Sequence, residues 1–413
     1  MNILIIGNGG REHAIAESIA KSPNSEKIYF SGHNGGAKGK ILNAELDLEF
    51  ENVEKFILKN DIELTVVGPE NPLNEGIVDF LKERGHKVFG PKKKSAFLEG
   101  SKAFAKKFME KYGIPTAEYI EFFDYETALN SYDKFGFPVV IKADGLCAGK
   151  GVYICENKNE AEKALNDIFL DKIFAQEGSK IVVEKFLKGF EASLLCFVSE
   201  DKIYPFDTAM DYKRIYENNL GPNTGGVGCI SPNPFWDKNH NLQSDSILRK
   251  IEIGLKEENL QYSGILFIGY IIDSGKVYVL EFNTRFGDPE TEVLLPRLKS
   301  DLLENIMQSI DGKEVELDFE DNVSMATILV SDGYPGKFEK GFEITGIDDL
   351  EDGVFLFHNG TKNHEGKILS NGGRVLSVVV KEKSLERARE KVYRNLKKIS
   401  FENMSFRTDI GKI

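Results

Sequence analysis

Apolar and polar positions follow two rhythms along this chain. In the N-terminal part, short apolar runs alternate with longer amphipathic stretches. Asn2 to Ile6 predicts a buried strand and Arg11 to Lys21 a helix; Glu63 to Val67 predicts a strand ending at Gly68-Pro69, and Val88-Phe89 precedes Gly90-Pro91. Strands alternating with helices imply a parallel α/β sheet whose ligand-binding loops lie at the strand C-terminal ends. Near Ser101 the pattern changes to a lysine-rich amphipathic helix, Lys102 to Tyr112, closed by Gly113 and Pro115. Short strands around a glycine-rich turn follow from Pro138 to Leu195, with a helix over Asn159 to Phe169, and a larger α/β segment runs on to Asp321. The tail, Asn322 to Ile413, contains a strand at Val375 to Val380 and a charged helix from Leu385 to Lys398. No internal repeat is evident. The expected division is therefore 1–101, 102–321 with a smaller lobe over about 116–190, and 322–413.

Length and composition narrow the class. With 413 residues, the chain exceeds one ordinary core and implies roughly two to four domains. Its 41% apolar and 29% charged residues suit a soluble globular protein. A net charge of −13 argues against a general nucleic-acid or anionic-membrane binder, so local lysine clusters are expected to serve small anions. The cysteines, Cys147, Cys155, Cys196 and Cys229, are dispersed with no Cys-x-x-Cys pair, which fits reduced thiols rather than a disulfide frame or a zinc site. No apolar run approaches a membrane span, and Met1 leads into a strand without a basic leader. A cytoplasmic protein is expected.

Five motifs carry candidate chemistry. In Val279-Leu-Glu281-Phe-Asn283-Thr-Arg285, an apolar run ends in two oxygen donors two residues apart. Strand alternation puts Glu281 and Asn283 on one face, joined by Arg285 if the strand continues. Such a pair suits a hard cation with few protein ligands, and a nearby arginine suits phosphoryl transfer. Gly7-Asn8-Gly9-Gly10-Arg11 follows the first strand and opens a helix, which favours a bound phosphate; its spacing is not that of a dinucleotide fingerprint. Lys142 and Lys150 bracket a flexible loop, with Gly149 and Gly151 flanking Lys150, as a clamp on a polyphosphate would. Glu184-Lys185-Phe186-Leu187 can border an adenine edge while Glu191 holds ribose hydroxyls. Asp211, Lys213 and Arg214, followed by Asn223-Thr224-Gly225, can bind a small anionic acceptor. Taken singly, each also fits a bland alternative: a solvated strand end, a turn, a hairpin, a sheet edge or a mobile loop.

In this order, the motifs resemble the ATP-grasp superfamily and, within it, the phosphoribosylamine–glycine ligase family of purine biosynthesis. The resemblance covers essentially the whole chain. Its marks include Gly7 to His13, Val67-Gly-Pro-Glu70, Leu98-Glu-Gly-Ser-Lys102, Lys142-Ala-Asp-Gly-Leu146, Gly149-Lys-Gly-Val152, Gly221 to Gly226, and Glu281 through Glu290. It implies a multidomain α/β and α+β protein: an N-terminal parallel α/β substrate domain, a central ATP-grasp region with a small lid subdomain, and a C-terminal α+β domain. The implied reaction joins glycine to 5-phosphoribosylamine through a glycyl phosphate, giving glycinamide ribonucleotide, ADP and phosphate, with ATP as cosubstrate and Mg2+ or Mn2+ as cofactor. Small molecules are the only partners implied, with a monomer or weak homo-oligomer expected. By position, Lys102 and Lys142 would contact nucleotide phosphates, and Lys150 with its glycines would form the lid loop. Glu184 to Leu187 would border adenine and Glu191 the ribose. Glu281 and Asn283 would hold the metal, while Arg285 and Lys150 would act in catalysis. Asn8, Gly9, Gly10, Arg11, Asp211, Lys213, Arg214, Asn223, Thr224, Gly225, Asp288 and Glu290 would bind the substrates. Many ATP-grasp enzymes carry a further metal carboxylate on the preceding strand; here that position falls near Gly269. The alternatives are another carboxylate–amine ligase or a carboxylase, a nucleotide-dependent oxidoreductase, and an inactive ATP-binding regulator.

Overall fold

The computed structural model describes residues 1–147, 151–174 and 180–413. Its N-terminal sheet contains β1 (Asn2–Ile6), β2 (Lys27–Phe30), β3 (Ile41–Asn43), β4 (Ile62–Val67) and β5 (Val88–Phe89), all parallel, in the order β3-β2-β1-β4-β5. Ile3, Leu4, Ile5 and Ile6 are fully buried, as a central parallel strand covered on both faces requires. The turns after β1, β2 and β4 consequently share one edge of the sheet.

The helix Lys102–Lys111 leaves this unit. Ser101 caps it, accepting the Phe104 N–H at 3.2 Å, and its apolar face packs Ala105, Phe108 and Met109 into a core below. Pro115 and Thr116 then lead into a four-stranded antiparallel lobe of β6 (Tyr119–Phe122), β7 (Val139–Ala143), β8 (Val152–Cys155) and β9 (Ile181–Lys185), ordered β6-β9-β7-β8. This lobe has its own small core, including Phe122, Val139, Ile141, Ile181 and Val183. The helix expected over Asn159 to Phe169 is observed as Lys158–Leu165, continuing in a wider turn over Asn166–Leu170.

The remaining chain builds a nine-stranded sheet. It comprises β10 (Phe190–Glu200), β11 (Lys202–Asp211), β14 (Gly228–Ser231), β15 (Tyr262–Asp273), β16 (Lys276–Asn283), β17 (Val323–Ser331), β18 (Val354–His358), β21 (Arg374–Glu382) and β22 (Met404–Ser405). Two ribbons lie outside it, β12 (Arg214–Tyr216) with β13 (Leu220–Asn223), and β19 (Thr361–His364) with β20 (Lys367–Ser370). The order β16-β15-β10-β11-β14-β17-β21-β18, with β22 on β17, carries the hydrogen-bonded ladder across position 322. Gly228 to Ser231 pair antiparallel with Thr327 to Ser324. The C-terminal strands therefore extend the central sheet, and a boundary visible in the chain pattern is not a gap in hydrogen bonding. One core unites the parts: Ile3, Phe30, Phe197, Phe286, Val330 and Phe357 belong to the same buried cluster. No helix of the described residues is long and apolar enough to cross a membrane.

Candidate active site

The end of β16 is the natural starting point. Its pairing with β15 places Glu281 opposite Gly269 and Asn283 opposite Phe267, with a bulge just before Glu281. Beyond the bulge the alternation is regular, so both side chains share a face. The Glu281 side chain makes no hydrogen bond or ion pair with the described residues, although its charge acts on Lys213. A Cβ on Gly269 would come within 3.2 Å of Glu281 Cγ, so the glutamate lies over the glycine. No group of three or more His, Cys, Asp or Glu side chains among the described residues forms a metal cluster. One open carboxylate beside one amide oxygen fits a cation that keeps most of its shell as water and phosphate.

Arg285 reaches the site differently from the expectation. The strand stops at Asn283, so Arg285 does not extend its face; carboxylates from the N-terminal unit aim it instead. Its Nη2 lies 3.0 Å from Glu99 and its Nε 3.4 Å from Glu70, and Nη2 also donates to Asn283 Oδ1 at 3.3 Å. Burial pushes the Glu99 carboxyl up against the pull of Arg285. Burial opposes ionisation of Glu70 as well, but Arg285 and Arg11 hold it below its ordinary value. Neither glutamate was given a role from sequence, although both lie in the motifs that carried the resemblance.

The lobe contributes Lys142 at the end of β7. Its Nζ lies 2.8 Å from Glu184 Oε1 and donates to the Leu280 carbonyl at 3.4 Å. Glu184 lies near the end of β9, the strand expected to lead to the adenine edge. Its backbone is taken up in the ladder between β6 and β7, and its carboxylate is buried between Lys142 and Lys106. Lys185 pairs with Glu118 at 3.0 Å on the surface. Phe186 and Leu187 follow the strand and remain partly exposed. Lys102 donates to the Gly145 carbonyl at 2.8 Å. Asp144 anchors the same loop by accepting from Ser101 Oγ at 3.0 Å and Ala103 N–H at 2.9 Å. At Gly151, a Cβ would come within 2.6 Å of Cys147 Cβ. Gly149 and Lys150 lie outside the described residues.

Lys213 bonds directly to Glu191. Burial works to lower its ammonium, yet Glu191, Glu281 and Asp211 together hold it well above its ordinary value. Its neighbours mostly build the loop. Arg214 donates to Gly221 O at 2.6 Å, and Asn223 pairs with Arg214 in the ribbon. Thr224 Oγ1 donates to Lys213 O at 2.7 Å and accepts from Gly226 N–H at 3.0 Å. Gly225 receives Arg374 Nη1 on its carbonyl at 2.6 Å.

Beyond this loop buried carboxyls predominate. Burial pushes the Asp211 carboxyl well up, with Glu290 the next cause. Burial also raises Glu290, although Ser193 Oγ donates to it at 2.9 Å. Asp288 Oδ2 meets Arg374 Nη2 at 2.8 Å. Buried oxygens Asp211 Oδ1 and Asp288 Oδ1 accept no hydrogen bond from the described residues. Glu292, fully buried, accepts from Asn359 Nδ2 at 2.8 Å, and Gly10 sits directly against that contact. In the glycine loop itself, Gly9 N–H donates to Glu12 Oε2 at 2.8 Å, so the loop folds around a resident carboxylate. Arg11 is bound by Glu12 at 2.7 Å and donates to the Phe286 carbonyl at 3.1 Å, which ties the loop to the segment after β16. Asn8 donates to His33 O at 2.7 Å. Glu292, Asn359 and Arg374 were missed from sequence, since only their long-range pairing brings them here. A separate cavity of about 520 Å³, lined by His13, Glu17, Lys21, Lys38 and Phe355, lies between the helix Gly10–Ala20 and the C-terminal strands and contains none of the expected site residues.

Comparison with known proteins finds relatives along nearly the whole chain. Residues 1–99, 100–291 and 324–413 match, in turn, the N domain, the ATP-grasp (A) domain and the C domain of phosphoribosylglycinamide synthetase. The chain is 44% identical over 416 residues to a phosphoribosylamine–glycine ligase of Caldanaerobacter subterraneus subsp. tengcongensis, covering 100% of this chain and 99% of that one. A ligase of the same description from Clostridium acetobutylicum is 44% identical, with 100% of both chains covered. The crystal structure of phosphoribosylamine–glycine ligase from Thermotoga maritima superposes with a TM-score of 0.88 at 34% identity, covering 99% of this chain and 100% of that one.

Proposed function

Since the chain belongs to the phosphoribosylglycinamide synthetase family of ATP-grasp ligases, we propose a route through glycyl phosphate for its ATP-dependent ligation of glycine to 5-phosphoribosylamine in purine biosynthesis. A carboxylate is a poor electrophile. A glycine carboxylate oxygen therefore attacks the γ-phosphorus of ATP; the new O–P bond forms as the β–γ bridging bond breaks, and ADP departs with the electron pair. The amine of phosphoribosylamine next attacks the acyl carbon. The carbon–oxygen bond to phosphate breaks, the amine gives up a proton, and glycinamide ribonucleotide and phosphate result.

The observation that carries this reading is the meeting of a cationic cluster with a group of buried carboxyls. Lys142, Lys213 and Arg285 border Glu281 and Asn283, where phosphates gather. The unbonded buried oxygens of Asp211 and Asp288 adjoin them and suit a substrate amine. Glu281 and Asn283 would hold Mg2+ or Mn2+, which when bound neutralises phosphate charge. Arg285, fixed by Glu99 and Glu70, stabilises the charge that develops on the transferring phosphoryl group. Asp211 and Asp288 orient the glycine or ribosylamine nitrogen, and Arg374 keeps Asp288 in place. A cytoplasmic location is supported by three buried cysteines, Cys155, Cys196 and Cys229, that form no disulfide among the described residues.

Glycine labelled with 18O in its carboxylate separates this route from others. A glycyl phosphate delivers label into inorganic phosphate during turnover with ATP and phosphoribosylamine; unlabelled phosphate refutes it. In the same assay, Arg285→Ala is expected to lower kcat far more than it weakens ATP binding. Equal losses would remove its role in the transition state.

A further inference from the structure

Lys106 lies on the buried face of the helix Lys102–Lys111, with 2% of its surface exposed. An ammonium in such a place is costly unless paired, and no step described so far uses it. Its Nζ sits 3.0 Å from Glu184 Oε2 and donates to Thr116 Oγ1 at 2.7 Å. Thr116 Oγ1 in turn donates to the Val279 carbonyl at 2.7 Å. Lys106 is thus locked at the root of the lobe, against the strand that carries Glu281.

Lys142 is held differently. Its ion pair with Glu184 Oε1 is 2.8 Å long, and its contact with Leu280 O is long at 3.4 Å. Both lysines meet Glu184 as ion pairs; they differ in the second partner, a threonine hydroxyl at 2.7 Å for Lys106 and a carbonyl at 3.4 Å for Lys142. Two ammoniums against one carboxylate leave the group with a single positive charge. Without Lys106, the Glu184–Lys142 pair would be neutral, and Lys142 would have to abandon a buried carboxylate to meet a phosphate.

We propose that Lys106 is a positioning residue for ATP: it neutralises Glu184, which frees the charge of Lys142 for the nucleotide phosphates. This rests on Lys142 being a phosphate ligand. Burial lowers the Lys106 ammonium to about 8 despite Glu184, so its charge is sustained by these contacts rather than by solvent.

The test is steady-state kinetics of the full chain, with ATP varied at saturating glycine and phosphoribosylamine. Lys106→Met is expected to raise the KM for ATP by at least about tenfold, the scale of losing one near charge in a partly buried site, while the KM for glycine stays put. Adding Glu184→Gln restores the net charge, so Lys106→Met/Glu184→Gln is expected to return the KM for ATP to within about threefold of the parent. A merely structural lysine would not be rescued by a second change in the same core. If Lys106→Met is too unstable to purify, the double variant decides alone: a near-parental KM for ATP supports the proposal and a tenfold increase overturns it. Lys142→Met separates the two readings. If it raises the KM for ATP and Lys106→Met does not, the role of Lys106 falls and that of Lys142 stands. If Lys142→Met leaves the KM unchanged, the phosphate assignment fails, and the role of Lys106 with it.

Discussion

Glu292 has no exposed surface, and its carboxyl is pushed up to about 8, mainly by burial and secondly by the neighbouring Asp288. Below the ordinary carboxylate value of about 4.5, folded and unfolded chains both hold this proton. As pH rises toward 8, the unfolded chain releases it first, so the stability it contributes is lost through that interval. Glu292→Gln keeps an oxygen for Asn359 without the ionisation. The variant is expected to melt at a higher temperature than the parent at pH 8, with the difference vanishing near pH 4.5; thermal scans across that range check it. Nothing in the sequence near Glu292 announces this. That Glu281 and Asn283 share a face was legible because strand alternation needs no knowledge of the rest of the fold. Lys106 was not, because in a lysine-rich amphipathic helix it reads as one more solvated cation. Its partners, Glu184 and Thr116, come from other elements.

At the scale of elements, the first turn of the helix Gly10–Ala20 shows why a glycine opens it. A Cβ on Gly10 would lie 2.1 Å from both Asn359 Nδ2 and Glu292 Oε1, so the helix can dock there only without a side chain. Gly10→Ala is expected to cost about 1–3 kcal/mol of stability, the usual scale for overpacking, measurable as a lower urea midpoint with an unchanged slope. Elements were largely readable from periodicity: β1, β4 and the helix Lys102–Lys111 fall close to where apolar spacing put them. Where an element ends was less readable. Arg285 could not be placed from alternation, since β16 stops before it and the grip of Glu70 and Glu99 decides its direction.

On the scale of the whole molecule, His358 marks where the C-terminal strands meet the N-terminal unit. Its backbone N–H donates to His13 Nδ1 at 3.0 Å, and its own Nδ1 contacts Thr361 Oγ1 at 2.8 Å. Burial, then the nearby His13, lowers its imidazole to about 3. The unfolded chain takes up this proton near 6.5 and the folded one only near 3, so stability falls as pH drops through that window. Removing the imidazole with His358→Gln should flatten the acid limb of the stability profile, by a difference on the order of 4 kcal/mol at the low end. Acid titration of urea midpoints reads it directly; parallel limbs in the two proteins would exclude this histidine as the cause. Such contacts, and the ladder from β14 to β17, were beyond the reach of chain pattern because the partners lie far apart in sequence. That ladder also bears on how the protein is made. During synthesis from the N terminus, β14 is finished at Ser231, but its outer neighbour does not begin until Val323. Through that interval the nascent chain carries an open strand edge that can recruit another growing chain. The ribosome must run on well past β16 before the sheet around the candidate site can close.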